Sequence, residues 1–449
     1  MTDKNVTLAF GTDGIRGNAD HFPFTQEALV ALGRALTVWA RAKYATQSPQ
    51  ILIADDTRIS GQRIKQALCY GLRAEGATVL DGGVLTTPAV FSLIKHDSRF
   101  NAGIVISASH NPYHDNGIKV FDAHNCKITP QDERAIVQNF GTFIGQPLPE
   151  VSAAPIELWS DAALEYQKQI CSQFPENFLE KVKVVLDCAN GATSVIAPEL
   201  FRALGAQVFP LAAQPNGTNI NAACGSLHPE SLAQAVLDYG AQCGFAFDGD
   251  GDRVVAVNNK GEVKDGDDIL ALLLELPAYQ HLTNVVGTLM TNCGFELFLQ
   301  AKGKTLLRTN VGEKYVSACL EEKKLCLGGE ISGHIIMKDY LATGDGIFVA
   351  LKVLESVLAH NNWQMKTFNK FPQVLLNVPV TNKKDLTLQP YAHIIADYEK
   401  RLGDGRLLIR YSGTEPLLRV MTEASTYEVA HGMAQQLAGE LKEALEKSL

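Results

Sequence analysis

The sequence lacks any run of about 18 uninterrupted apolar residues, the length that a membrane-spanning helix requires. Its first residues, MTDKNVTLAF, also lack the apolar core of a signal peptide. Neither a membrane anchor nor a secretory leader is therefore expected. These absences predict a cytoplasmic protein that does not bind a membrane.

Paired cysteines and excess positive charge are missing as well. The nine cysteines form no CxxC pair, and an odd count favours reduced thiols over a disulfide scaffold or a zinc site. Lys and Arg number 40 against 49 Asp and Glu, a net charge of −9, which argues against nucleic acid as a partner. A small anionic substrate stays compatible, because a local cluster of basic side chains is enough to bind it.

A repeated pattern dominates the first three quarters of the chain. Residues 51–83, 182–211 and 285–309 each begin with a short apolar run and a polar turn, followed by a helical period, a glycine and a second apolar run. This order is typical of β-α-β units in a mixed or parallel sheet flanked by helices. With 449 residues, two to four such domains are expected.

The last 80 or so residues differ. Residues 374–380, 405–412 and 417–424 read as strands, and an amphipathic helix is predicted from Tyr427 to Lys447. This pattern indicates a smaller α+β domain. The predicted domains are 1–150, 151–255, 256–365 and 366–449.

The loop within residues 102–121 carries the first candidate for chemistry. An apolar run at Ile104–Ile106 is followed by small polar residues around Ser109, which would let its hydroxyl approach a phosphorus atom. A plain Ser/Asn/Pro turn is the alternative. A serine hydrolase fits poorly, because no G-x-S-x-G elbow is present and His110, adjacent in sequence, is badly placed as a base.

The segment GFAFDGDGDRVVAV (244–257) is the strongest single signal. Its carboxylates Asp248, Asp250 and Asp252 alternate with glycines and repel one another unless a cation joins them. Ligands that are all oxygen favour Mg²⁺ over zinc. An EF-hand fails, because Arg253 and Asn259 occupy positions that require Gly and Glu. Metal binding is favoured over a solvated acidic turn, since apolar strands flank the loop.

Three further loops are weaker taken singly. In LGGEISGHII (327–336), Glu330 can accept hydrogen bonds from two sugar hydroxyls and His334 can carry a proton, although a lone His is more often structural. The loop within 406–424 is rich in hydrogen-bond donors that can bind an anion, which favours a phosphate site over a plain hairpin. Its donors are Arg410, Ser412, Gly413, Thr414 and Arg419. FGTDGIRG (10–17) adds Arg16, with a turn as the alternative.

Taken together, these segments resemble the α-D-phosphohexomutase superfamily, most closely its bacterial phosphoglucosamine mutase branch. The resemblance covers nearly the whole chain and rests on five motifs in the family's order. They are FGTDGIRG, SASHNPYHDNGIK, DGDGDR, GGEISGH and RYSGTEPLLRV. The connecting segments DDTRISG, DCANGA, NGTNINAACG and RTNVGEKYV match the amino-sugar branch as well.

The resemblance implies four domains around a central cleft, three of them mixed α/β and the last a smaller α+β lid. Ser109 resembles the phosphoserine, and one Mg²⁺ is expected on Ser109, Asp248, Asp250 and Asp252. The candidate catalytic residues are Ser109, Lys119, Arg16, His110 and His334. The candidate substrate-binding residues are Glu330, Ser332, Arg410, Ser412, Gly413, Thr414 and Arg419, with Arg253 adding positive charge beside the metal.

The implied activity is a phosphosugar mutase, an intramolecular phosphotransferase that interconverts glucosamine-6-phosphate and glucosamine-1-phosphate and supplies the UDP-N-acetylglucosamine pathway and hence peptidoglycan precursors. Its partner would be a small phosphosugar, with a homodimer left open. Two departures from the branch, Ile331 and the pair Glu313-Lys314, fall where the sugar is expected. A phosphomannomutase/phosphoglucomutase therefore stays as an alternative. A catalytically silent sugar-phosphate-binding protein and a simple phosphatase are alternatives of other classes.

Overall fold

A computed structural model describes residues 8–11, 13–123, 126–148, 155–412 and 416–447. The chain divides into two compact units. Unit 1 comprises residues 1–281 and 312–366, and unit 2 comprises residues 282–311 and 367–449. Both units belong to the α/β class, which confirms the predicted fold class.

The first sheet of unit 1 has the strand order β1-β5-β4-β2-β3-β7, with β6 paired to β5. Strands β2, β3, β4 and β7 run parallel, whereas β5 is antiparallel to β4 and β1. The strands are β1 (Ile15–Asn18), β2 (Gln50–Asp55), β3 (Thr78–Val84), β4 (Ala102–Ile106), β5 (Asp115–Asp122), β6 (Cys126–Lys127) and β7 (Glu157–Leu158). The helices are α1 (Gln26–Tyr44), α2 (Gly61–Ala74), α3 (Thr87–His96) and α4 (Pro130–Phe143).

The second sheet of unit 1 has the order β12-β11-β10-β8-β9. Its central strands β8, β9 and β10 are parallel, and β11 returns antiparallel to β10. The elements are α5 (Ala162–Cys171), β8 (Lys183–Asp187), α6 (Thr193–Ala203), β9 (Gln207–Leu211), α7 (Glu230–Asp238), β10 (Cys243–Phe247), β11 (Val254–Val257) and β12 (Val263–Lys264).

The rest of unit 1 contains helices that follow this sheet and a short antiparallel hairpin, β15-β16. Its elements are α8 (Gly266–Leu273), α9 (Pro277–Gln280), α11 (Glu313–Glu322), β15 (Leu327–Gly329), β16 (Ile335–Met337) and α12 (Gly346–His360). Asp265 begins α8 with a capping box, in which its side chain accepts from the backbone N–H groups of the first turn.

Unit 2 contains a parallel β-α-β unit and a three-stranded antiparallel sheet of order β17-β19-β18. Its elements are β13 (Asn284–Thr288), α10 (Cys293–Ala301), β14 (Thr305–Thr309), β17 (Gln373–Pro379), α13 (Tyr391–Leu402), β18 (Arg406–Tyr411), β19 (Leu417–Glu423) and α14 (Tyr427–Lys447). The predicted strands and closing helix of the last 80 or so residues are thereby confirmed.

All three predicted β-α-β repeats are present, as β2-α2-β3, β8-α6-β9 and β13-α10-β14. Each helix is followed by a left-handed glycine, Gly76, Gly205 or Gly303, with φ of 87°, 100° and 68°. A residue with a side chain is strained at such angles, which explains why glycine ends each helix. In the first two repeats the first strand, β2 or β8, is buried along most of its length, as its continuous apolar run predicts.

Two strand ends determine where polar residues gather. Strand β4 ends at Ile106, one residue before Ser107 and three before Ser109, and β10 ends at Phe247, directly before Asp248. Both are strands of the parallel parts of their sheets, whose carboxyl ends are the usual binding edge of α/β folds. Within the described residues, none of the helices has the length and apolar character needed to cross a membrane. The cysteines described are free thiols, as predicted.

The contact between α1 and α2 depends on glycine. A Cβ at Gly71 would lie 2.1 Å from the carbonyl oxygen of Val30, and one at Gly33 would lie 2.3 Å from that of Leu68. Because the obstacles are backbone atoms, Gly71→Ala must push the helices apart. We expect it to reduce the free energy of unfolding by about 1–3 kcal/mol in urea denaturation.

The matched control is Gly141→Ala, in α4 of the same unit, where an added Cβ meets nothing within 4 Å. This variant should be neutral or stabilising by up to about 1 kcal/mol, because alanine is the better helix former. Equal effects of the two substitutions would contradict the close-packing argument.

Candidate active site

Ser109 lies at the carboxyl end of β4 and its hydroxyl meets the acidic loop. The side chain is buried, and its Oγ donates a hydrogen bond to Asp248 Oδ2 over 2.5 Å. The backbone N–H of Ser109 donates to Ser107 Oγ over 2.9 Å, and φ of Ser109 is 53°. The structure therefore brings together the serine and the first carboxylate that the sequence singles out.

The three aspartates of the acidic loop converge. Asp248, Asp250 and Asp252 are all buried, and one carboxylate oxygen of each lies within 4.8 Å of the others. The glycines between them are necessary, since a Cβ at Gly249 would lie 2.6 Å from the carbonyl oxygen of Ser109. The backbone N–H of Arg253 donates to Asp248 Oδ1 over 3.1 Å. The alternation of Asp and Gly thus lets three buried carboxylates share one small volume.

The donor set fits a hard divalent cation. Asp250 Oδ1 and Asp252 Oδ1 are buried and have no hydrogen-bond partner among the residues that the structure describes. Burial, with repulsion from Asp252 and Asp250, holds the pKa of Asp248 well above its ordinary value. Buried carboxylate oxygens without partners are costly, and a bound cation removes that cost. The cluster is therefore able to hold a metal ion.

Lys119, on β5, neutralises part of this charge. Its Nζ lies 2.8 Å from Asp250 Oδ2, 2.8 Å from Asp252 Oδ2 and 2.7 Å from Asp13 Oδ2. Burial alone would lower the pKa of Lys119, but Asp13 and the two loop aspartates hold it well above the ordinary value. Lys119 therefore brings positive charge and hydrogen-bond donors to the carboxylates around it.

Asp13 joins the cations of the site. Its carboxylate lies 2.7 Å from Arg16, 2.7 Å from Lys119 and 2.7 Å from Lys127. Burial alone would raise the pKa of Asp13, but Lys119, Lys127 and Arg16 keep it well below the ordinary value. Asp13 and Lys127 were not singled out from the sequence. The FGTDGIRG motif contained the signal for Asp13, whereas Lys127 follows no motif.

His334, in the loop between β15 and β16, forms a buried ion pair with Glu313. His334 Nε2 lies 3.3 Å from Glu313 Oε2, and Thr343 Oγ1 donates to Glu313 Oε1 over 2.8 Å. Lys127 also contacts Glu313. Burial alone would lower the pKa of His334, but Glu313 and Asp252 raise it to about 9. His334 is therefore protonated at neutral pH, and Glu313, noted in the sequence only as a departure, is part of the site.

The predicted sugar loop packs directly on the acidic loop. The carbonyl oxygen of Gly333 accepts a hydrogen bond over 3.1 Å from the backbone N–H of Val254, which lies two residues after Asp252 in the chain. Glu330 is buried and accepts from the backbone N–H of Gly312 over 2.8 Å, which orients its carboxylate. Ser332 and Ile331 are half-buried in the same loop. The loop of residues 330–334 and the three aspartates thus form one continuous site within unit 1.

His110 contacts the serine that precedes it. Its Nδ1 lies 3.2 Å from Ser109 Oγ. The expectation that His110 is too poorly placed to contact the Ser109 hydroxyl is therefore wrong. Burial, together with Arg253 and Arg16, lowers the pKa of His110 to about 4. The ring is neutral at pH 7 and able to accept a proton, but its affinity for one is low. A serine hydrolase therefore gains no support.

The predicted phosphate residues lie in unit 2. Arg410 on β18 and Arg419 on β19 are directly opposite in the antiparallel register. Like charges so placed repel each other, and a bound anion relieves that repulsion. Ser412 is buried, and its carbonyl oxygen accepts from Lys383 Nζ over 2.7 Å. Gly413 and Thr414 lie outside the described residues.

Four family models match most of the chain. Models of phosphoglucomutase/phosphomannomutase α/β/α domains I, II and III match residues 7–143, 164–261 and 265–373, and the C-terminal domain model matches residues 375–440. The chain therefore belongs to the phosphoglucomutase/phosphomannomutase family, as the resemblance in its motifs predicted.

Relatives within this family are more specific. A phosphoglucosamine mutase from Azoarcus sp. (strain BH72) is 43% identical over 444 residues, covering 96% of this chain and 97% of that protein. A phosphoglucosamine mutase from Haemophilus influenzae (strain PittEE) is 43% identical over 451 residues, covering 98% of each. The full length of this chain is thus similar to enzymes of the amino-sugar branch.

Solved structures share the fold. A phosphoglucomutase/phosphomannomutase family protein from Burkholderia thailandensis has a TM-score of 0.77 at 24% identity and covers 99% of this chain and 98% of its own. Aspergillus fumigatus N-acetylphosphoglucosamine mutase, solved with GlcNAc-6P and magnesium, has a TM-score of 0.67 at 19% identity and covers 98% of this chain and 97% of its own.

The His334–Glu313 pair generates a prediction about pH. In Glu313→Gln the burial of His334 persists but its main source of attraction is removed, so the pKa of His334 should fall from about 9, with Asp252 and Glu330 still raising it. A raised histidine pKa stabilises the folded state below about pH 6.5, and this contribution is lost as pH rises through about 9. NMR titration of the His334 ring measures the shift.

The matched control is Glu322→Gln, at the exposed end of the same helix α11, which should leave the titration of His334 unchanged. A His334 pKa that stays near 9 in Glu313→Gln would show that Glu313 is not what holds the proton.

Proposed function

We propose that this protein interconverts glucosamine-6-phosphate and glucosamine-1-phosphate through a phosphorylated Ser109 and a 1,6-bisphosphate intermediate. The observation that carries the proposal is the placement of Ser109 Oγ 2.5 Å from Asp248, in a buried site that also contains Lys119. The full-length similarity to phosphoglucosamine mutases, at 43% identity, supports the amino sugar as substrate.

In the first half-reaction, the bond between Ser109 Oγ and phosphorus breaks as the 1-hydroxyl of the sugar forms a new bond to the same phosphorus. Phosphoryl transfer depends mainly on positioning and on neutralising charge. Lys119 and Arg16, both joined to Asp13, provide positive charge for the phosphoryl group. The proton of the attacking hydroxyl needs an acceptor; of the two histidines of the site only His110 is neutral at pH 7, and its pKa of about 4 makes it a weak base.

In the second half-reaction, the bisphosphate returns its 6-phosphate to Ser109, so the serine ester is regenerated and no water is consumed. Lys119 and His334 are both protonated at neutral pH and donate hydrogen bonds or a proton to the oxygens that lose the phosphoryl group. Glu330, oriented by Gly312, accepts hydrogen bonds from sugar hydroxyls, with Ser332 beside it.

Asp248, Asp250 and Asp252, with a phosphoserine oxygen, would hold one Mg²⁺ ion. When bound, such an ion draws charge from the phosphoryl group and makes Ser109 Oγ a better leaving group. The proposal of magnesium rests on the all-oxygen donor set and on the two buried carboxylate oxygens without hydrogen-bond partners in the described part of the chain.

The non-reacting phosphate is assigned to Arg410 and Arg419 of unit 2, with Ser412, Gly413 and Thr414 as further donors. This assignment is supported by Arg410 and Arg419, which lie directly opposite each other on neighbouring strands. A phosphosugar is thus the proposed partner of this protein, and its charge, which prevents passage through a bilayer, favours a cytoplasmic reaction. The domain boundaries near residues 150, 255 and 365 and the homodimer stay predictions.

A phosphomannomutase/phosphoglucomutase is the second candidate, because Ile331 and the Glu313-Lys314 pair lie in the segments expected to contact the sugar. Purified protein should be assayed on glucosamine-, glucose- and mannose-6-phosphate, with and without magnesium. Turnover should be highest with the amino sugar and should be lost on chelation. A preference for mannose or glucose would favour the second candidate.

Ser109→Ala removes the phosphoryl acceptor and should lower turnover by at least about 10³-fold, because the two-step route is then closed. Intact-mass analysis should also lose the mass of one phosphate. Ser48→Ala, which alters an exposed hydroxyl in the same unit, serves as the control. Inorganic phosphate released steadily by the wild type would identify a phosphatase, and an unphosphorylated, inactive wild type would identify a silent binding protein.

Arg419→Ala removes one of the two opposing guanidiniums of unit 2. We expect KM for the phosphosugar to rise by about 10–100-fold, since a charge-assisted hydrogen bond is lost, with a smaller effect on kcat. The control is Arg401→Ala, on α13 of the same unit, which should leave KM unchanged. If Arg419→Ala lowered kcat alone, the assignment of this pair to substrate phosphate would be wrong.

A further inference from the structure

The backbone of the Ser109 loop is held by two side chains from elsewhere in unit 1. Arg58, which follows β2, donates from Nη2 to the carbonyl oxygens of Ser109 and Asn111 over 3.0 and 2.8 Å. Asn221, in the loop between β9 and α7, donates from Nδ2 to the same two oxygens over 2.9 and 3.1 Å. Both carbonyl groups therefore receive two donors each.

Arg58 is itself fixed in place. Its side chain is fully buried, and Nε donates to Asp56 Oδ2 over 2.8 Å. Asp56 Oδ2 also accepts from Ser107 Oγ over 2.6 Å, and Ser107 Oγ accepts in turn from the backbone N–H of Ser109. A chain of buried hydrogen bonds thus runs from the guanidinium of Arg58 to the N–H of Ser109. The residue is held at both its N–H and its C=O.

Asn221 reaches the loop from the second sheet. Its own backbone is fixed, with φ of 55° and an N–H that donates to Ala189 over 2.9 Å. A Cβ at Gly249 would lie 2.9 Å from Asn221 Nδ2 and 2.6 Å from the carbonyl oxygen of Ser109. Gly249 therefore leaves the space in which Asn221 and the Ser109 loop meet.

These contacts matter because Ser109 has a left-handed backbone, with φ of 53°. A residue with a side chain adopts this conformation at a cost in free energy, and it persists only where the surroundings impose it. The conformation sets the direction of Oγ toward Asp248. The carbonyl oxygens of Ser109 and Asn111 accept from Arg58 and Asn221 in this conformation.

We propose that Arg58 and Asn221 are positioning residues for phosphoryl transfer, which hold Ser109 Oγ over the acidic loop by binding the carbonyl groups of Ser109 and Asn111. This inference rests on the proposed function and assigns to it two residues that neither contact the phosphoryl group nor bind the sugar. The loop between β9 and α7, which belongs to the second sheet, thus helps to position Ser109, which follows β4 of the first sheet.

The test is Asn221→Asp, which keeps the shape and the backbone preference of the side chain but replaces the donor with an acceptor facing two carbonyl oxygens. A displacement of the reacting atom by about 1 Å costs about 100-fold in rate, so kcat should fall by about 10–100-fold. KM for the phosphosugar should stay close to that of the wild type, because the sugar loop is not altered, whereas the melting temperature should fall, because two carbonyl oxygens lose a donor.

Asn219→Asp is the matched control in the same loop. Among the described residues, the Asn219 side chain forms hydrogen bonds within its own loop, with Gln214 and Asn216, so this variant should retain the kcat of the wild type. Arg58→Lys is the second variant. It keeps the positive charge beside Asp56 but lacks the guanidinium N–H groups that reach both carbonyl oxygens, so it should also lower kcat more than it changes KM. An unchanged kcat in Asn221→Asp, or a change in KM alone, would overturn the proposal.

A crystal structure of Asn221→Asp separates this inference from the proposed function. We expect the distance from Ser109 Oγ to Asp248 Oδ2 to lengthen beyond hydrogen-bonding range from its present 2.5 Å. If the wild type proved inactive on every phosphosugar, the proposed function would fall, and this distance would still decide whether Asn221 positions Ser109. An unchanged distance with φ of Ser109 near 53° would overturn the positioning role.

Discussion

The site depends on four aspartates around Lys119, of which Asp248, Asp250 and Asp252 are buried and Asp13 is half-buried. Asp13, Asp248, Asp250 and Asp252 would repel one another strongly in a low-dielectric interior without cations among them. Lys119 meets three of them, and a divalent ion on the remaining oxygens would complete the balance. The alternating charges continue through Lys127 and Glu313 to His334, so the charge state of each group depends on its neighbours.

This charge pattern also assigns the chemistry. Lys119 and His334 hold their protons at neutral pH because acidic groups surround them, whereas His110 is neutral because it is removed from solvent and lies close to Arg253 and Arg16. Two titratable groups of one type, His110 and His334, therefore have pKa values of about 4 and about 9 within one site. The environment alone thus separates a protonated histidine from a neutral one.

Backbone geometry is the second constraint. Ser109 takes a left-handed conformation that its own sequence does not favour, and the acidic loop can approach it only because Gly249 has no side chain. Contacts from Arg58 and Asn221, distant in sequence, hold this arrangement. The loop of Ser109 is consequently held by contacts from the first and the second sheet of unit 1.

The sequence by itself determined the β-α-β repeats, the antiparallel C-terminal region and the acidic loop, because these follow from local periodicity, glycine positions and the chemistry of neighbouring residues. It also placed Ser109 and Asp248 among the candidates. Only the tertiary structure decided that Lys119 is a donor, that His110 reaches Ser109, and that Asp13, Lys127 and Glu313 join the site. Those properties depend on burial and on contacts between segments far apart in the chain, which no local pattern encodes.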